Sequence, residues 1–204
     1  MRSLLLVHGS ASLPSVFDGW SESFPGVTVV CVDLQAGLDV ASARMEDYAQ
    51  AIVRAAEPLA RPLAVCAWSL GGLAAMLAAG RVQPDALVLL EASPPLEVQG
   101  MRDGGPHIGT FEASPGAPPA IARRPESLWA SGERDRGISV PSLPEKTRTL
   151  VAYGDSFRHD RGPVLAKLYG AEQLDAGSAT HYDMVLDREL RERVAEWLRA
   201  TLPL

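Results

Sequence analysis

The stretch Pro62-Leu-Ala-Val-Cys-Ala-Trp-Ser-Leu-Gly-Gly-Leu-Ala-Ala-Met-Leu-Ala-Ala79 decides how the chain is read. An apolar run of strand character, Leu63 to Trp68, leads into Ser69, and an alanine-rich helical run from Leu73 to Ala79 leaves it. A serine at the junction of a buried strand and a buried helix sits on a tight turn. Such a turn admits only small residues two places before and two places after, here Ala67 and Gly71, because a larger side chain would strike the neighbouring backbone. The turn lifts the hydroxyl clear of the carboxyl edge of a sheet, with a helix amino terminus beneath it. Taken alone, the motif is equally a strand-to-helix turn that happens to contain serine. Whether the chain also supplies a base, an acid and an oxyanion site decides between the two.

Outward from this turn, strands and helices alternate. Leu4 to Val7 is a short apolar run that stops at His8-Gly9-Ser10, as a strand buried on both faces would. Val16, Phe17, Trp20 and Phe24 give Ser12 to Phe24 rough helical spacing after Pro14. Val27 to Asp33 is β-branched and reads as a second strand. An amphipathic helix follows from Ala43 to Leu59, closed by Pro58. After the central turn, Asp85 to Glu91, Thr149 to Tyr153 and Ala171 to Leu174 read as further strands, the last at an edge. Gly162 to Tyr169 and Asp183 to Leu202 read as helices. This order predicts a doubly wound, mostly parallel sheet of about six strands with helices on both faces.

Residues 1–204 read as one domain with a loop-rich, lid-like excursion over 92–147. Proline, glycine, arginine and serine dominate that excursion, and its apolar anchors are Ile108, Phe111, Ile121, Leu128 and Trp129. Phe111, Leu128 and Trp129 are candidates to line a pocket, as Trp68 is to enclose one. Arg123 and Arg124 form a pair able to attract an anionic group.

A length of 204 residues supports a full hydrophobic core, and 47% apolar with 22% charged residues is ordinary for a soluble globular chain. The net charge of −6, with no lysine or arginine run to offset it, argues against nucleic acid as a partner. No stretch is long enough to span a membrane, and Leu4 to Val7 is too short for a signal peptide. Cys31 and Cys66 lie in strand-like runs and read as buried thiols, which points to the cytoplasm. No histidine and carboxylate spacing suits a metal, and no cofactor is implied.

A serine hydroxyl needs a base. His8 ends a strand beside glycine and reads as structural, while His107 and His159 stand in polar loops. His181 follows the last strand and precedes the closing helix, so it can meet Ser69 at the carboxyl edge of the sheet. Oxyanion donors are expected from the N–H of Leu70, directly after the serine, and of Ser10, after the first strand.

Together, His8-Gly9 after the first strand, Ala67-Trp-Ser-Leu-Gly-Gly72, Gly154 closing a late strand and Thr180-His181-Tyr182 resemble the α/β-hydrolase fold over most of the chain. The resemblance is to a compact version without the family's first two strands, and Ala67 stands where glycine is usual. It implies a Ser-His-acid hydrolase acting on a small-molecule acyl substrate, an ester or thioester, through an acyl-enzyme on Ser69. The acid is open. In many members it lies three residues beyond a glycine that ends a late strand, and here that position holds Phe157. Asp155 is two residues early, and Asp160 is a further option. Glu91 ends the strand after the central helix, where similar thioesterases keep an aspartate as the acid, one methylene shorter than glutamate. Two other readings stand beside hydrolysis: acyl transfer, cyclisation or elimination on the same scaffold, and a non-catalytic hydrolase-like binding protein.

Overall fold

Strands buried on both faces carry unbroken apolar sequence, and the centre of this molecule is built from them. The computed structural model describes residues 1–112 and 117–202. In chain order, β1 (Ser3–Val7) is followed by two 3-10 turns, Pro14–Phe17 and Trp20–Ser23, then β2 (Thr28–Val32) and α1 (Met45–Ala56). β3 (Leu63–Trp68), α2 (Leu70–Val82) and β4 (Ala86–Leu90) come next. Then follow α3 (Leu96–Gln99), the two-residue strands β5 (Thr110–Phe111) and β6 (Glu126–Ser127), and α4 (Leu128–Arg136). β7 (Arg148–Tyr153), a 3-10 turn at Asp155–Phe157, α5 (Gly162–Tyr169), β8 (Glu172–Asp175), α6 (Asp183–Leu186) and α7 (Arg188–Thr201) complete it.

The main sheet has the order β2-β1-β3-β4-β7-β8, and every pairing in it is parallel. The expected doubly wound architecture is therefore the observed one, with β2 and β8 at the edges. Every residue of β1, β3 and β4 is buried. Strand alternation divides their side chains between two layers. Leu5, Val7, Val65, Leu87 and Leu89 pack with α1, α2 and α5, while Leu4, Leu6, Ala64, Cys66 and Val88 pack with the first 3-10 turns and α7. Burying one such leucine contributes about 2 kcal/mol.

Register and strand order place the functional edge. Val7 pairs with Ala67, Trp68 with Leu90, and Leu90 with Ala152. The residues that leave the strands, His8, Ser69, Glu91 and Gly154, therefore emerge side by side at the carboxyl end. The chain reverses its direction of travel across the sheet between β1 and β3, and a crevice opens outside the strand ends at such a switch point.

Several expectations are corrected. Ser12 to Phe24 is not one helix but two 3-10 turns, because Gly19 between them adopts φ 80°. The closing helix is split into α6 and α7 at Asp187, whose extended backbone and carboxylate cap the Leu190 N–H at 2.9 Å. Cys66 is buried, but Cys31 on edge strand β2 is only half-buried. Leu6 of the intervening β1 is in register with both, so a whole strand separates the two thiols. Ile108 is no anchor: it is 72% exposed.

The described residues of the segment 92–147 carry their own order. β5 and β6 pair antiparallel. Ser127 Oγ accepts the N–H groups of Trp129 and Ala130 at 3.1 Å, capping α4, and donates to the Ala43 carbonyl at 2.7 Å. Among the described residues, no helix is long and apolar enough to cross a membrane.

Candidate active site

Ser69 sits between β3 and α2 with φ 56° and ψ −127°, in the left-handed half of backbone space where a residue with a Cβ is strained by about 1–3 kcal/mol. The surroundings hold it there. Its N–H donates to the Leu90 carbonyl at 3.1 Å, and its own carbonyl accepts from Gly72 and Ser93, both at 2.9 Å. The small residues around it are a matter of contact distance. A Cβ on Gly71 would lie 2.1 Å from the His8 carbonyl oxygen, and one on Gly72 would lie 2.3 Å from the Ala92 Cβ. A Cβ on Gly9 would meet Ser69 Cβ at 2.9 Å. The turn rule accounts for Gly71; the need for Gly72 comes from the loop after β4 and is visible only in three dimensions.

Glu91 follows β4 with φ 38° and is 1% exposed. Its Oε1 accepts the Gly154 N–H at 2.9 Å, and its Oε2 lies 2.7 Å from His181 Nδ1. Two aromatic rings pack against the imidazole as well. Its ring lies 5.0 Å from the Trp68 ring and stacks on Phe157 at 5.9 Å with 9° between planes. The His181 carbonyl accepts the Trp68 indole N–H at 3.0 Å. Phe157, which fills the position where many relatives place the acid, thus supports the imidazole instead. Gly154 is required here too, since a Cβ would stand 2.0 Å from the Ala179 carbonyl oxygen.

The other carboxylates lie elsewhere. Asp155 is 72% exposed and 3.7 Å from Arg158. Asp160 is exposed and pairs with Arg161 at 3.3 Å. Of the three acidic candidates, Glu91 alone contacts the imidazole. His107 and His159 are exposed, in keeping with their polar loops. His8 is buried, and its Nε2 accepts the Leu34 N–H at 3.1 Å, a structural bond.

Leu70 opens α2, where the first N–H groups have no partner within the helix. Ser10 faces the same space, and among the described residues no hydrogen bond takes up its N–H. Ser69 and His181 line two cavities at once. One, of about 240 Å³, is bounded by Ser10, Trp68, Phe111, Ile121 and Arg123; the other, of about 410 Å³, by Ser93, Arg102, Phe157 and Arg161. Arg134 lines both. No hydrogen bond joins the Ser69 hydroxyl to the imidazole among the described residues. In unliganded sites such contacts are commonly long and close with substrate bound.

Two candidate pocket residues are placed away from Ser69. Trp129 is covered by the Arg44 guanidinium at 4.6 Å and donates to Glu133 at 3.2 Å, while Leu128 lines a separate cavity beside His107. Phe111 does border the serine. Arg123 and Arg124 part company: Arg123 faces the cavity, but Arg124 is committed to Asp33 and to His8 Nε2, the latter at 3.1 Å. His8 and, next to it, Arg124 hold the Asp33 carboxyl well below the usual carboxylate range. Among the described residues no group of three or more His, Cys, Asp or Glu side chains is arranged to hold a metal ion.

A parallel sheet with a strained serine after its third strand and a histidine before its last helices defines a class. Residues 4–203 match the sequence model of the alpha/beta hydrolase family, and the chain belongs to that family. Solved structures agree on the fold at low identity. The bottromycin epimerase BotH superposes with a TM-score of 0.70 at 16% identity, covering 97% of this chain and 90% of that one. The pyrethroid hydrolase PytH gives 0.68 at 15% identity over 98% of both chains. RedJ, a thioesterase of the prodiginine biosynthetic pathway in Streptomyces coelicolor, gives 0.62 at 17% identity, covering 98% and 90%. No sequence among the curated proteins matches this chain.

Proposed function

We propose that the protein is a serine hydrolase that cleaves a small carboxylic ester or thioester through an acyl-enzyme on Ser69. The observation that carries this reading is the buried Glu91 carboxylate on His181 Nδ1, behind a serine held in a strained turn. With Nδ1–H donated to Glu91, the imidazole presents an unprotonated Nε2. That nitrogen takes the hydroxyl proton as Ser69 Oγ attacks the carbonyl carbon. The N–H groups of Leu70 and Ser10 receive the negative charge that develops on the carbonyl oxygen. His181 returns its proton to the departing alcohol or thiol as the carbon–oxygen or carbon–sulfur bond breaks. Water then repeats the sequence, with His181 as base, to release the acid and restore Ser69. Glu91 remains a carboxylate throughout and stabilises the imidazolium.

Arg102, Arg123, Arg134 and Arg161 border the two cavities; Arg134 is paired with Asp135 at 2.8 Å and Arg161 with Asp160 at 3.3 Å. Four guanidinium groups gathered around Ser69 in a chain of net charge −6 support an acyl substrate that carries an anionic group. The reading is tested with p-nitrophenyl acetate and an acyl-N-acetylcysteamine thioester. Ser69→Ala and His181→Ala are each expected to lower kcat by about 10⁴-fold or more. A fluorophosphonate probe is expected to label Ser69 alone. Wild-type turnover by Ser69→Ala overturns the proposal. An acyl-Ser69 adduct that resists water but passes to an added alcohol or amine replaces hydrolysis with transfer.

A further inference from the structure

Glu126, on the two-residue strand β6, is 2% exposed, and none of the chemistry above uses it. Four groups converge on its carboxylate. Oε2 accepts the Ala11 N–H at 2.8 Å. Oε1 accepts the Ser127 N–H at 2.8 Å, the Gln35 amide at 3.1 Å and the Tyr48 hydroxyl in a very short contact. Burial, then the adjacent Glu126, pushes the Tyr48 phenol up, so it stays a donor. Every partner is a donor, and only an acceptor-only carboxylate satisfies all four.

The residue it reaches, Ala11, follows Ser10 directly. Ala11 is a non-glycine at φ 53°, buried, with its carbonyl accepting the Arg124 N–H at 3.0 Å. Ser12 forms an antiparallel bridge with Arg123. Ala11 and Ser12 are thus stitched along residues 123–126, a part of the middle segment 115 positions away in sequence at the Ala11–Glu126 bond. That attachment commits the Ala11 N–H to Glu126, while among the described residues no hydrogen bond takes up the N–H of Ser10, which lines the cavity beside Ser69.

We propose that Glu126 is a positioning residue: by holding the Ala11 N–H it sets the turn that aims the Ser10 N–H at the oxyanion. The middle segment is then a brace for the oxyanion site as well as a wall of the cavity. This rests on the reading of Ser69 as nucleophile, and the two fail in different ways. Wild-type activity in Ser69→Ala removes the basis, whatever Glu126 variants do.

The test uses the full chain, p-nitrophenyl acetate, a boronic acid that adds to Ser69, and circular dichroism for folding. Glu126→Gln keeps the shape but turns an amide N–H₂ towards groups that are themselves donors. The expected result is a fall in kcat of about 100-fold, the size of losing one oxyanion donor, with KM within about threefold of wild type. Boronate affinity is expected to fall in parallel, because the tetrahedral adduct needs the same N–H. If Glu126→Gln does not fold, Glu126→Asp keeps the charge, withdraws the oxygens and is expected to lose about tenfold in both readouts. A folded variant whose kcat and boronate affinity stay within about threefold of wild type overturns the proposal. So does failure of both variants to fold, which assigns Glu126 to the fold alone.

Discussion

Glu91→Gln is the substitution on which the acyl-enzyme reading turns, and the structure determines how it acts. The replacement changes no volume and keeps one carbonyl oxygen. Gly154 decides where that oxygen goes: its N–H, 2.9 Å from Oε1, is a fixed backbone donor and selects the amide oxygen. The amide nitrogen is then forced onto His181 Nδ1, 2.7 Å away, where it donates. An imidazole that accepts at Nδ1 carries its proton at Nε2, the nitrogen that must receive the serine proton. The Trp68 ring, tilted by 34° at 5.0 Å, and the stacked Phe157 ring hinder the imidazole from turning over to escape. A wrong tautomer of this kind lowers kcat by about 10⁴-fold, equivalent to about 5 kcal/mol. The assay is steady-state turnover of p-nitrophenyl acetate from pH 6 to 9, with Asp155→Asn beside it. Asp155 is 72% exposed and is expected to leave kcat within about twofold of wild type. A Glu91→Gln enzyme within tenfold of wild type, paired with a large loss in Asp155→Asn, refutes the reasoning and moves the acid to the loop after β7.

Two further predictions address the frame. Gly71→Ala places a Cβ 2.1 Å from the backbone oxygen of His8, which has no rotamer with which to yield, so α2 must separate from the end of β1. A loss of about 3 kcal/mol is expected, read as a fall of about 6–12 °C in melting temperature. Gly80→Ala in the same helix meets nothing within 4 Å and is expected to be neutral or stabilising. Asp33→Asn removes a carboxylate whose pKa is lowered on folding by His8 and Arg124. A lowered folded pKa stabilises the native state above the unfolded value, and the contribution fades as pH falls below it. The variant is therefore expected to be less stable by about 1 kcal/mol near neutral pH, with the difference shrinking below about pH 4. Urea unfolding at pH 7 and pH 3 measures it; a constant difference between the two refutes the assignment.

Much of this molecule is legible in its residues because local patterns encode it. The unbroken apolar runs of β1, β3 and β4 follow from burial on both faces, and the strand-serine-helix turn is a relation among residues two apart. His181 was within reach of sequence because its place between the last strand and the closing helices fixes which sheet edge it serves. The failures share a cause. The breaks at Gly19 and Asp187 interrupt helices whose apolar spacing is otherwise continuous, since that spacing reports the buried face and not the backbone's path. The Arg123-Arg124 pair is one motif in the chain but two environments in space.

Glu91 and Asp155 are the sharpest case. Both follow a parallel strand at the carboxyl edge, and nothing local distinguishes them. Strand register puts Leu90 beside Ala152, and the Gly154 N–H then holds Glu91 under an imidazole 90 residues further along. Glu126 left no mark in the sequence at all, because a buried carboxylate is recognisable only by the donors around it. By itself the sequence determined the sheet, the strained turn and its histidine, which are set by residue type and near neighbours. Which carboxylate faces that histidine, and what braces the loop opposite the serine, only the tertiary structure decided, because both depend on distances between segments that no spacing records.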